Sequence, residues 1–153
     1  MRSVKGEAAT IKVFGLEISR PFILRSRMPT QRVLECLGAN ALILSDYVKG
    51  KPGQQFCFDG GSKTIQSQQW PGRAITLQSS GGSTNVHMET ATNSGWFQLW
   101  RYENNTLANV GAKVLLTVKF KEDDEDPSIG VQPRREGEES QLWDLVYVGE
   151  MPA

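Results

Sequence analysis

His87 is the only histidine in the chain, and Cys36 and Cys57 are its only thiols. Nucleophilic catalysis needs a base within reach of a nucleophile, so any Ser-His-Asp or Cys-His arrangement rests on His87 alone. Beside Glu89, His87 reads as a partly exposed strand residue. A tetrahedral zinc takes four ligands, and no spacing of His, Cys and carboxylates here supplies them. The sequence therefore predicts no enzyme, no metal site and no cofactor. Glu122-Asp123-Asp124-Glu125-Asp126 is the densest charge run. Calcium loops alternate their oxygens around a glycine, a spacing that five consecutive acids do not give. The run reads as a flexible acidic loop, with attraction for a basic partner surface as its functional option.

Lys plus Arg and Asp plus Glu both number 17, for a net charge of +0. No excess of positive charge stands ready to neutralise phosphates, which argues against nucleic acid as a partner. Hydrophobic residues make up 39% of the 153 positions, enough for one domain with its own core, spanning 1–153. No apolar run reaches the length of a membrane span, and residues 1–10 have no apolar stretch behind Arg2 and Lys5. The thiols behave most simply as small buried apolar side chains, so a reducing, cytoplasmic location is expected. Asn104-Asn105-Thr106 fits the N-glycosylation pattern, a short motif that also arises by chance.

Helical periodicity is nearly absent; only Thr30 to Leu37 has even a turn of it. Short apolar or alternating runs appear instead: Thr10–Phe14, Phe22–Arg25, Val33–Leu37, Ala41–Leu44, Gln55–Phe58, Ala74–Gln78, Val86–Met88, Gln98–Tyr102, Lys113–Phe120, Ile129–Gln132 and Gln141–Val148. Each has strand length, and Gly, Pro, Asn or Asp separates most of them, so the chain reads as all-β. Three segments repeat: Gln54-Gln55-Phe56, Gln98-Leu99-Trp100 and Gln141-Leu142-Trp143. The aromatics recur at intervals of 44 and 43 residues. Each segment follows a strand and a polar hairpin, and the first two are followed by Thr64-Ile65 and Thr106-Leu107. The tail missing from the third copy lies at Phe22-Ile23-Leu24, so the N-terminal strand completes the last repeat. The repeats run from about 20 to 65, 66 to 108 and 109 to 148. A propeller blade has a similar period, and Trp143-Asp144 forms its dipeptide, but closure takes at least about four blades.

A Gln-x-Trp repeat of this period, three times over, resembles the ricin B-type β-trefoil, the R-type lectin family. The resemblance covers about residues 20–148 and implies three four-stranded repeats about a pseudo-threefold axis, with Phe56, Trp100 and Trp143 packed in the core. In the galactose sites of that family an Asp follows the Leu of the first strand, an aromatic on a later strand stacks on the sugar face, and an Asn often precedes the repeat's Gln. This chain has Glu35, Thr76 and Thr117 at the first position, Ser45, Glu89 and Gln132 at the second, and Gly53, Phe97 and Ser140 at the third. No repeat carries the whole pattern.

Sugar recognition needs a carboxylate for vicinal hydroxyls and a ring for the C–H face. Glu35 keeps a carboxylate, and is otherwise an exposed strand residue. The hairpins between second and third strands add Asp46 and Tyr47, Asn93 and Trp96, and Arg134 and Arg135. Tyr47 and Trp96 would stack on a sugar or anchor a partner, unless Trp96 folds back over the core with Phe97. Arg134 and Arg135 would grip an anion unless Glu136, Glu138 and Glu139 balance them in solvent. The expected function is a non-enzymatic carbohydrate-binding module, its partner a glycan or glycoprotein, with sites diverged from the galactose pattern. The alternative is a protein-interaction module on the same scaffold, of inhibitor, cytoskeletal or receptor-binding type.

Deleting Glu122 to Asp126 should leave cooperative thermal melting nearly intact, because loop length enters closure entropy only logarithmically. Loss of a cooperative transition in calorimetry would make the run structural.

Overall fold

The computed structural model describes residues 12–78, 85–92, 95–119 and 128–150; Asn93 and the acidic run lie outside them. Among the described residues are fourteen strands: β1 (Lys12–Val13), β2 (Leu16–Glu17), β3 (Phe22–Ser26), β4 (Val33–Leu37), β5 (Ala41–Ser45), β6 (Phe56–Asp59), β7 (Thr64–Ser67), β8 (Arg73–Leu77), β9 (Val86–Thr90), β10 (Trp100–Glu103), β11 (Thr106–Asn109), β12 (Leu115–Lys119), β13 (Ser128–Gln132) and β14 (Trp143–Tyr147). Apart from the small β1–β2 ribbon, they form a β-trefoil in which one pairing scheme occurs three times.

The hairpins β4–β5, β8–β9 and β12–β13 are equivalent, with matching pairs Glu35↔Ile43, Thr76↔His87 and Thr117↔Gly130. So are β6–β7, β10–β11 and β14–β3, whose first pairs are Phe56↔Ser67, Trp100↔Asn109 and Trp143↔Ser26. The two sets are joined by the single pairs Arg25↔Val33, Gln66↔Ala74 and Ala108↔Leu115. β3 thus serves β14 as β7 serves β6, from the opposite end of the chain.

The joints follow local chemistry. Where β3, β7 and β11 end, the side chains of Ser26, Ser67 and Asn109 accept the backbone N–H of Met28, Gln69 and Ala112 at 2.8–3.1 Å. That turns the chain into the next hairpin without a buried unpaired amide. Each turn then passes through a left-handed residue: Gln31 (φ 51°), Gly72 (φ 86°) and Lys113 (φ 61°). For this reason β12 starts at Leu115 and not at Lys113, the start read from the sequence.

The sequence reading also began strands at Gln55, Gln98 and Gln141. In the structure one turn of 3₁₀ helix precedes each of β6, β10 and β14, at Pro52–Gln54, Trp96–Gln98 and Glu139–Gln141. The tight turn closes with bonds such as Gln55 N–H to the Pro52 carbonyl at 3.0 Å, and it aims each repeat's Gln inward.

Inside lie Trp100, Trp143, Phe56, Phe22 and Phe58, each fully buried, with Leu, Ile and Met side chains from every repeat. The Trp100 indole N–H donates to the Ile75 carbonyl at 2.9 Å, and that of Trp143 to the Leu116 carbonyl at 3.0 Å. Phe56 fills the same place in repeat one with no donor. Both cysteines are free thiols; Cys36 is buried, as expected, while Cys57 is half-exposed.

Trp100→Ala should cost about 3–5 kcal/mol in a urea titration, the range for an aromatic removed from a packed core. Trp100→Phe, which keeps most of the volume but leaves the Ile75 carbonyl unpaired, should cost about 1–3 kcal/mol. Equal costs for the two variants would mean the indole bond carries the fold and the ring volume does not.

Candidate functional site

The geometry that repeats most strictly is built from the three glutamines. The Oε1 of Gln54, Gln98 and Gln141 accepts the N–H of Val48, Thr92 and Arg135, six residues back in each case, at 2.8–2.9 Å. Their Nε2 donates to the carbonyls of Asp46, Thr90 and Pro133, eight residues back, at 2.8–2.9 Å. The second proton goes to the strand below: Glu35 Oε1 at 3.0 Å, Thr76 Oγ1 at 3.1 Å and Thr117 Oγ1 at 3.4 Å. One side chain thereby fixes each hairpin loop to its strand.

That places the residues read from the sequence as sugar acceptors. Glu35 is not an exposed strand carboxylate; it is 3% exposed. Lys51 Nζ lies 2.9 Å from its Oε2, so the charge is answered within its own repeat. Gly53 lies beside Glu35: a Cβ there would press on the Cys36 carbonyl at 3.2 Å and meet Glu35 Oε2 at an ordinary contact distance of 3.6 Å. Burial on its own would raise the Glu35 carboxyl pKa, but hydrogen bonds from Lys51, Gln54 and Ser45 outweigh it and hold the group below the usual carboxylate range. Thr76 and Thr117 donate to the Ala74 and Leu115 carbonyls, so their hydroxyls are spent within the strand and on the glutamine.

The other sequence candidates do not converge on Glu35. Asp46 shares the Gln54 amide with it through its backbone, while its own side chain is 89% exposed and 3.7 Å from Arg32. Tyr47 is half-buried and lines a cavity of about 310 Å³ with Ile23, Lys49 and Val148. Trp96 is 42% exposed, stacked on Phe97 with ring centroids 4.2 Å apart. Its indole lies against Gly111, where any Cβ would collide with the ring. Arg134 and Arg135 are exposed and line a cavity of about 330 Å³ with Glu136 and Glu138.

The sequence reading passed over another arrangement. Strand alternation along Val86-His87-Met88-Glu89 buries Val86 and Met88 and turns His87 and Glu89 outward. There they border an open depression of about 600 Å³ with Gln78, Asn85 and Asn40. His87 Nε2 and Glu89 Oε2 are paired. Asn40 comes from the tip of the neighbouring hairpin and is held by Arg73, which also donates to the Ala39 carbonyl at 2.9 Å and to Thr90 Oγ1 at 2.8 Å. The equivalent positions in repeat one are Leu37, Ile43 and Ser45, and in repeat three Lys119, Gly130 and Gln132. Among the three hairpin faces, the one in repeat two combines an imidazole, a carboxylate and amides. The signal was the polar half of an alternating strand, which resembles any solvated face. Among the described residues no group of three or more His, Cys, Asp or Glu is placed to hold a metal.

A three-repeat trefoil with a glutamine tie and a buried aromatic in each repeat defines a class built to present hairpin faces around one core. The chain belongs to the ricin-type β-trefoil lectin domain family, whose model matches residues 21–143. No curated protein matches the sequence significantly. The C-half of the earthworm R-type lectin, in complex with GalNAc, superposes with a TM-score of 0.66 at 17% identity, over 84% of this chain and 98% of that one. The β-trefoil lectin of the Vibrio vulnificus hemolysin/cytolysin, with N-acetyl-D-lactosamine bound, gives 0.66 at 15% identity over 85% and 96%. A non-toxic homologue of type II RIPs from bitter gourd (Momordica charantia), in complex with α-methyl-D-galactoside, gives 0.71 at 16% over 85% of this chain and 49% of that one. At these identities the likeness is one of fold.

Lys51→Ala should destabilise the protein by about 1–3 kcal/mol, since it strips a buried carboxylate of its charged partner. Because the folded-state pKa of Glu35 is depressed, its contribution is complete above the unfolded value, about 4.3. It is lost as pH falls from there through the folded pKa. Melting temperature against pH should therefore show a shallower acid limb in Glu35→Gln, the remaining slope coming from groups such as Asp59, held low by the Ser62 backbone and hydroxyl. An unchanged acid limb would mean the ion pair adds nothing.

Proposed function

We propose that the chain is a non-enzymatic carbohydrate-binding module and that its working face is the outer side of the β8–β9 hairpin. The observation that carries this reading is the polar array of Asn40, Gln78, Asn85, His87 and Glu89 around one open depression. A pyranose edge offers neighbouring hydroxyls that act at once as donors and acceptors. Glu89 accepts, the amides do both, and the imidazole does either by tautomer. Trp96, Tyr47 and the Arg134–Arg135 hairpin would serve longer glycans as outlying contacts. Sugar complexes of the earthworm and Vibrio lectins support a glycan or glycoprotein as the partner class. The balanced charge and free thiols fit a cytoplasmic setting.

The second reading, a protein-interaction module, is favoured by the closure of Glu35 under Lys51 together with the exposed Trp70 and Trp96. Such rings are the usual anchors of protein interfaces.

A glycan array on the intact protein separates the two. Binding to at least one sugar class is expected, with His87→Ala and Glu89→Gln each weakening it roughly tenfold or more, the cost of a hydrogen bond to a charged group. A blank array, with a protein partner retained in excess free sugar, would replace the first reading by the second.

A further inference from the structure

The three-fold repeat makes each groove between a β10-type hairpin and the following hairpin loop a natural control for the other two. In the groove formed by β14, β3 and the 46–53 loop, Asp144 lies 3.7 Å from Arg25 and 2.8 Å from Arg27, while Arg32 faces Asp46 at 3.7 Å. Each of the three arginines is compensated by a carboxylate within 3.7 Å, two of them by the same one. In the β6–β7 groove Cys57, Gln66 and Gln68 replace Asp144, Arg25 and Arg27, and Arg73, the counterpart of Arg32, donates to Thr90, the counterpart of Asp46. In the groove of β10 and β11 the same five positions hold Arg101, Ala108, Val110, Val114 and Pro133, and Lys113 and Arg134 stand where the other two grooves have Gly72 and Ala91, or Gln31 and Tyr47.

Arg101 thus stands where the compensated groove has its aspartate. It pairs at 3.4 Å with Glu103, the one carboxylate among the described residues that borders this groove. Lys113 and Arg134 form no ion pair among the described residues. The groove encloses about 330 Å³, within the range of small-molecule sites. Arg134 and Leu115 also border the adjoining cavity of about 330 Å³, which Arg135, Glu136, Glu138 and Asn104 line as well. One lobe is therefore cationic, and the other balanced and rich in hydroxyl acceptors.

We infer that this two-lobed trough binds an acidic saccharide, its sulfate or carboxylate group held by Lys113, Arg134 and Arg101, and its hydroxyls facing Glu136, Glu138 and Asn104. The inference rests on the carbohydrate-binding reading and names a substrate class and a second face for it. Guanidinium groups suit a planar or tetrahedral oxyanion through paired N–H donors, and a lysine adds a mobile point charge. An acidic peptide would satisfy the first lobe but would meet two carboxylates in the second.

The test titrates the intact protein with matched pairs, galactose 6-sulfate against galactose and glucuronic acid against glucose, and with inorganic sulfate and a short polyglutamate. The acidic sugar of a pair should bind roughly tenfold tighter than its neutral parent at low salt, and the preference should shrink as salt is added. Lys113→Gly, which adopts the backbone that Gly72 already has in its own repeat, and Arg134→Gln should each remove most of the preference; Arg27→Gln, in the compensated groove, should keep it. Equal affinities within each pair, or a preference that survives both variants, would overturn the inference while neutral-sugar binding upheld the carbohydrate reading. Polyglutamate or sulfate binding as tightly as the acidic sugar would overturn it in favour of a general anion site. No binding by any saccharide would end both.

Discussion

Everything in this fold hangs on a buried primary amide. A glutamine side chain with no partner would be a liability in a core this apolar, yet Gln54, Gln98 and Gln141 are each almost wholly buried. Each is tolerated because its oxygen and both its protons are engaged, by a loop N–H, a loop carbonyl and a strand side chain. The arrangement satisfies backbone groups that an irregular loop would otherwise leave unpaired, and it locks loop length, since the partners stand six and eight residues back in all three repeats. The aromatic two positions later then has only one direction to go, which is the core.

The tie tolerates substitution at its acceptor end. Glutamate and threonine both serve, because Nε2 needs only an oxygen within reach. Glutamate brings a charge, and repeat one answers it with Lys51. Threonine brings none, and its hydroxyl closes onto its own strand. The scaffold therefore survives changes at the position that, in the family's galactose sites, belongs to an aspartate. Ligand contacts can then migrate outward along the hairpins with little cost to the core.

The fold was legible because its signals are covalent spacings: Gln-x-aromatic at near-constant intervals, and an orphan strand at Phe22 to supply the missing pairing. Less was legible at the level of sites. Glu35 looked exposed because alternation assigns a polar residue to the outer face; it stays on that face but is covered by the loop that brings Lys51 and Gln54 onto it. Trp96 in a polar turn left two readings open, a free ring or one folded back, and Gly111, 15 positions later, gives it a surface to lie on. Lys113 looked like the start of a strand, where the backbone instead takes a left-handed turn shared with Gly72 and Gln31. His87 and Glu89 carried no motif at all. What they share with Asn40 is a depression assembled across two hairpins by Arg73, and no local pattern encodes that meeting.

The three repeats are thus alike inside and unlike outside, and the difference follows from where the constraint acts. Pairing registers, the glutamine tie and the buried aromatics fix the inner positions of every strand. The outer positions of the same strands answer only to solvent and to whatever binds there. Position 101 holds an arginine, while its symmetry mates hold Cys57 and Asp144. That position lies on the outer face, where Arg101 sits over the Phe14 ring at 5.8 Å and Asp144 pairs with Arg25 and Arg27, so its charge is matched by its surface neighbours. Divergence among outer positions of a strictly symmetric frame is where functional specialisation can accumulate, and here it leaves one hairpin face with a polar array and one groove in which, among the described residues, cations outnumber carboxylates.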